Sequence, residues 1–150
     1  MAEIEVLALD HVDLTVRDLA RSTAFYDKLL PAIGMRRVAH DGYVAWGNGH
    51  MNVGLRAAAT EHRDTPFEQT RIGLHHFCFR LRSREDVDTL HAAMRDFGAK
   101  IIRAPEIGPW APEYYSVLFE DPDGIRIEGV FIPGAGNLDR IKDAPLTPAS

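Results

Sequence analysis

Residues 7–16 alternate in character: Val12, Leu14 and Val16 are apolar, while His11, Asp13 and Thr15 are polar. A period of two predicts a half-buried strand with two unlike faces. Asp18 follows, and its carboxylate can accept a free backbone N–H of the next turn, which predicts a helix N-cap. The helix runs to about Leu30 with Leu19, Phe25, Tyr26, Leu29 and Leu30 as its apolar side; Pro31 is compatible with its end, and Gly34 turns the chain out of it. Three short strands are predicted near residues 35–39, 43–46 and 51–56, separated by turns at Asp41-Gly42 and Gly47-Asn48-Gly49.

The second half repeats this order. Residues 74–81 read as a strand with Phe77, Phe79 and Leu81 on one face and His76, Cys78 and Arg80 on the other. Ser83-Arg-Glu-Asp86 opens a helix, because a serine hydroxyl and a carboxylate three residues on can satisfy orphan N–H groups. Val87, Leu90, Met94 and Phe97 then recur at helical spacing, with Phe97 read as core, and Gly98 ends the helix as Gly34 ends the first. Strands are predicted near 100–103, 114–119 and 125–132, with 104–113 as a loop. Asp121-Pro-Asp-Gly124 is a turn, Pro presetting φ and Gly accepting a positive one. His11 aligns with His76, Gly34 with Gly98, and Met51–Gly54 with Ile125–Glu128, the order expected of an internal duplication. The fold class is therefore α+β: two tandem βαβββ modules forming an open, cup-shaped mixed sheet with helices outside. The first module with its linker is assigned to residues 1–66, the second to 67–132, and a loop-like tail to 133–150.

Composition fits one ordinary globular chain. Of 150 residues, 45% are hydrophobic and 26% charged, enough to build a real core. The net charge of −5 offers no phosphate-tracking surface, so nucleic acid is not expected as a partner. No apolar run approaches the roughly 18 residues of a membrane span, and residues 1–5 lack a basic-then-apolar leader. Cys78 is the single cysteine, which excludes an internal disulfide. A cytoplasmic location without membrane association is the simplest expectation.

If helices cover one sheet face, the other forms the cup. His11, Asp13 and Thr15 then face it from the first strand, and His76, Cys78 and Arg80 from the fifth, with His75 on the opposite face. In the last strand Ile125 and Ile127 go to the helix layer, leaving Arg126, Glu128 and Val130 to the cup. Two imidazoles and a carboxylate suit Zn, Fe, Mn, Co or Ni better than Ca. Asn52, Arg56, Arg80, Trp110 and Arg126 are candidate substrate-binding residues, the arginines for an anionic small molecule and Trp110 as a pocket lid. Tyr114 and Tyr115 cannot both face inward, so at most one is a candidate catalytic acid or clamp.

Leu9-Asp-His-Val-Asp-Leu14, Ala24-Phe-Tyr-Asp-Lys-Leu-Leu30, His76-Phe-Cys-Phe79 and Phe119-Glu-Asp-Pro-Asp-Gly-Ile-Arg-Ile-Glu128 together resemble the vicinal oxygen chelate superfamily. This is the group of glyoxalases, bleomycin-resistance proteins and extradiol dioxygenases. The resemblance spans about residues 7–132. It implies side-by-side modules, a homodimer, and one divalent transition metal held by His11, His76 and Glu128. Many glyoxalases carry a fourth ligand, usually Glu, where the repeat puts Gly54; an open coordination position is expected there. The extradiol enzymes carry a tyrosine about ten residues before the ligand Glu, where this chain has Leu118. The resemblance therefore implies a metal-dependent enzyme of glyoxalase-like type acting on a small oxygen-chelating substrate, isomerase or lyase chemistry ranked first. The alternatives are a ring-cleaving Fe(II) dioxygenase, a fosfomycin-type thiol transferase, and a non-catalytic binding protein of the bleomycin-resistance type.

Overall fold

The computed structural model describes residues 4, 6–38 and 43–134. The Asp41-Gly42 turn and the tail from residue 135 onward lie outside them. The chain divides into two compact units, residues 1–68 together with 121–124, and residues 69–120 together with 125–150. Each is described by itself.

The first unit runs β1 (His11–Val16), α1 (Leu19–Ala32), β2 (Arg36–Val38), β3 (Val44–Gly47) and β4 (Asn52–Ala57). Its sheet has the order β1-β4-β3-β2, with β1 parallel to β4 and the other pairs antiparallel. Asp18 caps α1 as its sequence position requires, its carboxylate accepting from Arg21 N–H at 3.0 Å. The buried side of α1 is Ser22, Tyr26, Leu29 and Leu30. Pro31 sits in the last turn. The helix closes beyond it where Gly34 takes φ +86° and Met35 N–H donates back to Leu30 O at 2.9 Å. Tyr26, Trp46, Val53 and Leu55 are fully buried. The Asp121–Gly124 turn belongs to this unit, where Tyr26 Oη donates to Asp121 Oδ2 at 3.0 Å. Burial and the Asp121 carboxylate push the Tyr26 phenol well above its ordinary range.

The second unit repeats the plan with β5 (Phe77–Arg80), α2 (Arg84–Asp96), β6 (Lys100–Ile107), β7 (Tyr115–Glu120) and β8 (Arg126–Phe131), in the order β5-β8-β7-β6. Ser83 Oγ accepts from Asp86 N–H at 3.1 Å, while the Asp86 carboxylate turns to Arg82 at 3.0 Å instead of closing the capping box. Val87, Leu90 and Met94 are buried, but Phe97 is the helix C-cap and is 39% exposed, which corrects its reading as core. β6 continues to Ile107 through residues expected to be loop. It can do so because it is an edge strand, and a register shift between Arg103 and Glu106 takes Pro105 out of the ladder.

The two sheets repeat one register. Asp13 stands opposite Gly54 as Cys78 stands opposite Glu128, so the sequence alignment of the halves is the alignment of their ladders. Two four-stranded mixed sheets, each with one helix, make this an α+β chain of tandem βαβββ modules. No helix among the described residues is long and apolar enough to cross a membrane.

Candidate functional site

One row of the second sheet runs across all four strands: Cys78 on β5, Glu128 on β8, Leu118 on β7 and Arg103 on β6. Glu128 is 5% exposed, and a carboxylate that deep requires compensation. Its Oε1 accepts from Arg103 Nη2 at 3.1 Å and from Tyr114 Oη at 3.0 Å. Arg103 also donates to Ser116 Oγ at 2.7 Å, and its guanidinium lies 4.9 Å from the Trp110 ring centroid. Oε2 of Glu128 faces His76 Nε2 at 3.3 Å.

His76 has close polar neighbours at its other ring nitrogen as well. Gln69 Nε2 lies 3.2 Å from His75 Nδ1, and His75 Nδ1 lies 2.7 Å from His76 Nδ1. Nδ1 of His76 is thus engaged by His75, which leaves Nε2 to Glu128. Ligands at metal bond lengths of about 2.0–2.2 Å stand roughly 3.0–3.4 Å apart in octahedral or tetrahedral arrangement, so the 3.3 Å separation fits a shared cation.

These groups line a cavity of about 400 Å³ formed by Gln69, His75, His76, Arg103, Trp110, Tyr114, Leu118, Arg126 and Glu128. His75 therefore shares it with His76, contrary to the expectation that they face opposite ways. β5 begins only at Phe77, so strand alternation does not reach the two histidines. Of the tyrosines, Tyr114 points to Glu128, whereas Tyr115 Oη donates to Asp88 at 2.7 Å away from the cavity. Burial first, then Cys78 and Glu128, raise the Tyr114 phenol above its ordinary value, so at neutral pH it is a hydrogen-bond donor and not a base. Cys78 keeps one side open to solvent, yet desolvation of its sulfur and the Glu128 carboxylate push its thiol up to about 12.

The other candidates stand elsewhere. Arg80 donates to Ile132 O at 3.0 Å and to Gly134 O, and lines a separate cavity of about 590 Å³ with Arg82 and Phe131. Two carbonyls just beyond β8 hold it, so it does not line the cavity that contains His76. In the first unit, Arg56 pairs with Asp13 Oδ2 at 3.0 Å and lies 4.5 Å from the Tyr43 ring centroid. Asn52 stands opposite His11 at the exposed start of β4, its side chain folded over Gly47. A Cβ on Gly54 would overlap Asp13 Oδ1, so the space expected to be open is filled by the neighbouring carboxylate.

His11 is exposed at the start of β1, and Asp10 Oδ2 accepts from its Nδ1 at 2.8 Å, which raises the imidazole above its usual value. Its Nδ1 is thus occupied as that of His76 is, leaving Nε2 outward. Of the trio predicted from sequence, His76 and Glu128 meet within the second unit. No group of three or more His, Cys, Asp or Glu side chains is arranged to hold a metal among the described residues. Arg103 and Gln69 were missed by sequence reasoning. A buried Glu128 requires a counter-charge, which is the one signal that could have pointed to Arg103. Gln69 gave none.

The chain is a βαβββ duplication with an imidazole–carboxylate pair in its second unit. A family model described as Glyoxalase/Bleomycin resistance protein/Dioxygenase superfamily matches residues 8–128, and the chain belongs to that superfamily. It is similar to the uncharacterized protein YqjT of Bacillus subtilis (strain 168), 25% identical over 124 residues, covering 80% of this chain and 95% of that one. The crystal structure of a glyoxylase/bleomycin resistance protein/dioxygenase domain from Frankia sp. EAN1pec matches with a TM-score of 0.71 and 26% identity, covering 85% of this chain and 98% of that one. Lactoylglutathione lyase from Agrobacterium tumefaciens shares the fold, with a TM-score of 0.61 and 23% identity over 84% of this chain and 94% of that one.

Proposed function

We propose that the protein is a divalent-metal-dependent enzyme of glyoxalase-like type, acting on a small substrate through adjacent oxygens. The observation that carries this reading is the pairing of His76 Nε2 with Glu128 Oε2 at 3.3 Å. His76 and Glu128 would hold the metal, with His11 as the ligand from the first module. His11 suits the role because Asp10 fixes its Nδ1 and leaves Nε2 available, the usual way a ligating histidine is oriented. The bound cation would polarise a substrate oxygen and ease rearrangement or addition at the neighbouring carbon.

The chain's own groups do the rest. Arg103 and Tyr114 pin Oε1 of Glu128, so only Oε2 is presented. His75 contacts His76 Nδ1 and holds its ring in orientation, which makes it a positioning residue. Isomerase or lyase chemistry is ranked first, and assembly as a homodimer belongs to the same reading.

Equilibrium dialysis of untagged protein against Zn, Mn, Ni and Co tests it. One metal per chain is expected, lost in His76→Ala and Glu128→Gln, and weakened about 10–100-fold in His75→Ala. Full retention of metal by His76→Ala overturns the assignment.

A further inference from the structure

The second-unit cavity holds two guanidinium groups in very different states. Arg103 is committed to Glu128 and Ser116. Arg126 touches one protein acceptor among the described residues, Glu120 Oε1, through Nε at 3.5 Å. Glu120 is already engaged more closely by Lys100, at 2.9 Å. The terminal nitrogens of Arg126 therefore retain their donors, in the planar fork that matches a carboxylate. Arg126 and Glu128 lie two residues apart on β8, roughly 7 Å along one face of the sheet.

Between and above these charges the lining turns apolar. Leu118 is the cross-strand partner of Glu128. Trp110 is 53% exposed where it borders the cavity. Its ring lies so close over Gly108 that a Cβ there would overlap it, and Gly108 N–H closes the loop on Tyr114 O at 2.8 Å. A large half-exposed aromatic surface is thus held in place, not left to fold away. At about 400 Å³ the cavity lies in the range of ligand-sized sites.

We propose that this cavity takes an aromatic carboxylate, its carboxylate paired by Arg126 and its ring laid on Leu118 and Trp110. The far end of the ring then reaches His76 and Glu128. The inference rests on reading this cavity as the substrate site, but it concerns recognition, which does not need the metal.

Calorimetric titration of chelator-treated, metal-free protein with 4-hydroxybenzoate, 4-hydroxybenzamide and acetate tests it. The acid should bind at least about tenfold more tightly than the amide, the effect of one charge-assisted pair, and acetate should show no saturation. Arg126→Gln should bring the acid and amide affinities together while leaving the melting temperature and metal affinity unchanged. Trp110→Ala should weaken acid and amide by a similar factor. Equal binding of acid and amide by the wild type, an intact preference in Arg126→Gln, or no saturation with the acid below about 10 mM would overturn the proposal. Metal binding without acid preference removes this inference alone. Acid preference without metal binding removes the metal reading alone.

Discussion

Replacing Arg103 with Met tests whether the second sheet is built around a compensated buried carboxylate. Methionine keeps much of the stem volume and its packing on Trp110 but removes every donor. The Glu128 carboxylate, 5% exposed, then keeps a single strong donor in Tyr114, and Ser116 Oγ loses its 2.7 Å partner. Breaking one side of a buried ion pair costs about 3–5 kcal/mol. Two local effects reduce that figure. Arg103 Nε–H is itself buried without a hydrogen-bond acceptor, Glu106 Oε1 being 3.7 Å away, so its removal recovers part of the cost. His76 also remains beside Oε2 as a polar neighbour. A net loss of about 2–4 kcal/mol is expected, equivalent to roughly 4–16 °C in melting temperature for a chain of this size. Differential scanning calorimetry in the presence of chelator reads it directly. Saturating divalent metal should then recover more stability in the variant than in the wild type, since a cation at Oε2 replaces the lost charge. A melting temperature within about 2 °C of wild type without metal would refute the compensation argument.

Tyr26→Phe should cost about 1.5–3 kcal/mol, because the buried Asp121 carboxylate loses a hydrogen bond of 3.0 Å; urea unfolding checks it, and an unchanged midpoint counts against the bond. Cys78 should react with iodoacetamide at pH 8 at least about 100-fold more slowly than the unfolded chain, since a thiol held near 12 is almost wholly protonated there; equal rates would contradict the shift. By linkage, the folded state retains that proton more tightly than the unfolded one. The stability it contributes is complete below the ordinary thiol range and falls as pH rises toward 12. Gly54→Ala and Gly129→Ala should differ. The first displaces only the movable end of Asp13, at the expense of an exposed ion pair, and should stay within about 1 kcal/mol of wild type. The second drives a Cβ to 2.7 Å from Leu90 Cδ2 and 3.2 Å from Leu81 Cδ1 and should cost about 1–3 kcal/mol; equal melting temperatures would remove the distinction.

Much of the fold was legible because local chemistry and packing agree. Asp18 and Ser83 cap the helices they were expected to cap, and in β1 and β5 Leu14, Val16 and Phe79 are buried and Val12 and Phe77 half-buried, while the polar alternates are exposed. The misreadings came where a local rule met its own limit. Pro105 argues against a strand interior, yet an edge strand with a register shift never needs its N–H. Phe97 continues the helical spacing of Val87, Leu90 and Met94, but the helix ends at Asp96 and the ring leaves the packed face. Alternation separated His75 from His76, but it applies only inside a strand, and both precede β5.

The candidate site was less legible because its chemistry depends on rows that cross strands, which spacing along one strand does not reveal. In the second module the row reads Cys78, Glu128, Leu118, Arg103; in the first the matching positions on β1, β4 and β3 are Asp13, Gly54 and Ala45. Both modules carry one carboxylate in that row, but on different strands and with different partners. Asp13 is drawn over Gly54 by Arg56, from the next row of the same sheet pair, and its charge is satisfied by a partly exposed ion pair. Glu128 is buried beside its cross-strand neighbour Leu118, with one oxygen pinned by Arg103 and Tyr114 and the other turned to His76. Exposed charge in water is weakly held and readily shared, whereas buried charge amplifies every neighbour it meets. The duplication thus supplies two equivalent backbone rows, with glycine at one position and a buried glutamate at its counterpart. For that reason the repeat locates both rows, but only burial and hydrogen bonding tell which of them holds a buried charge.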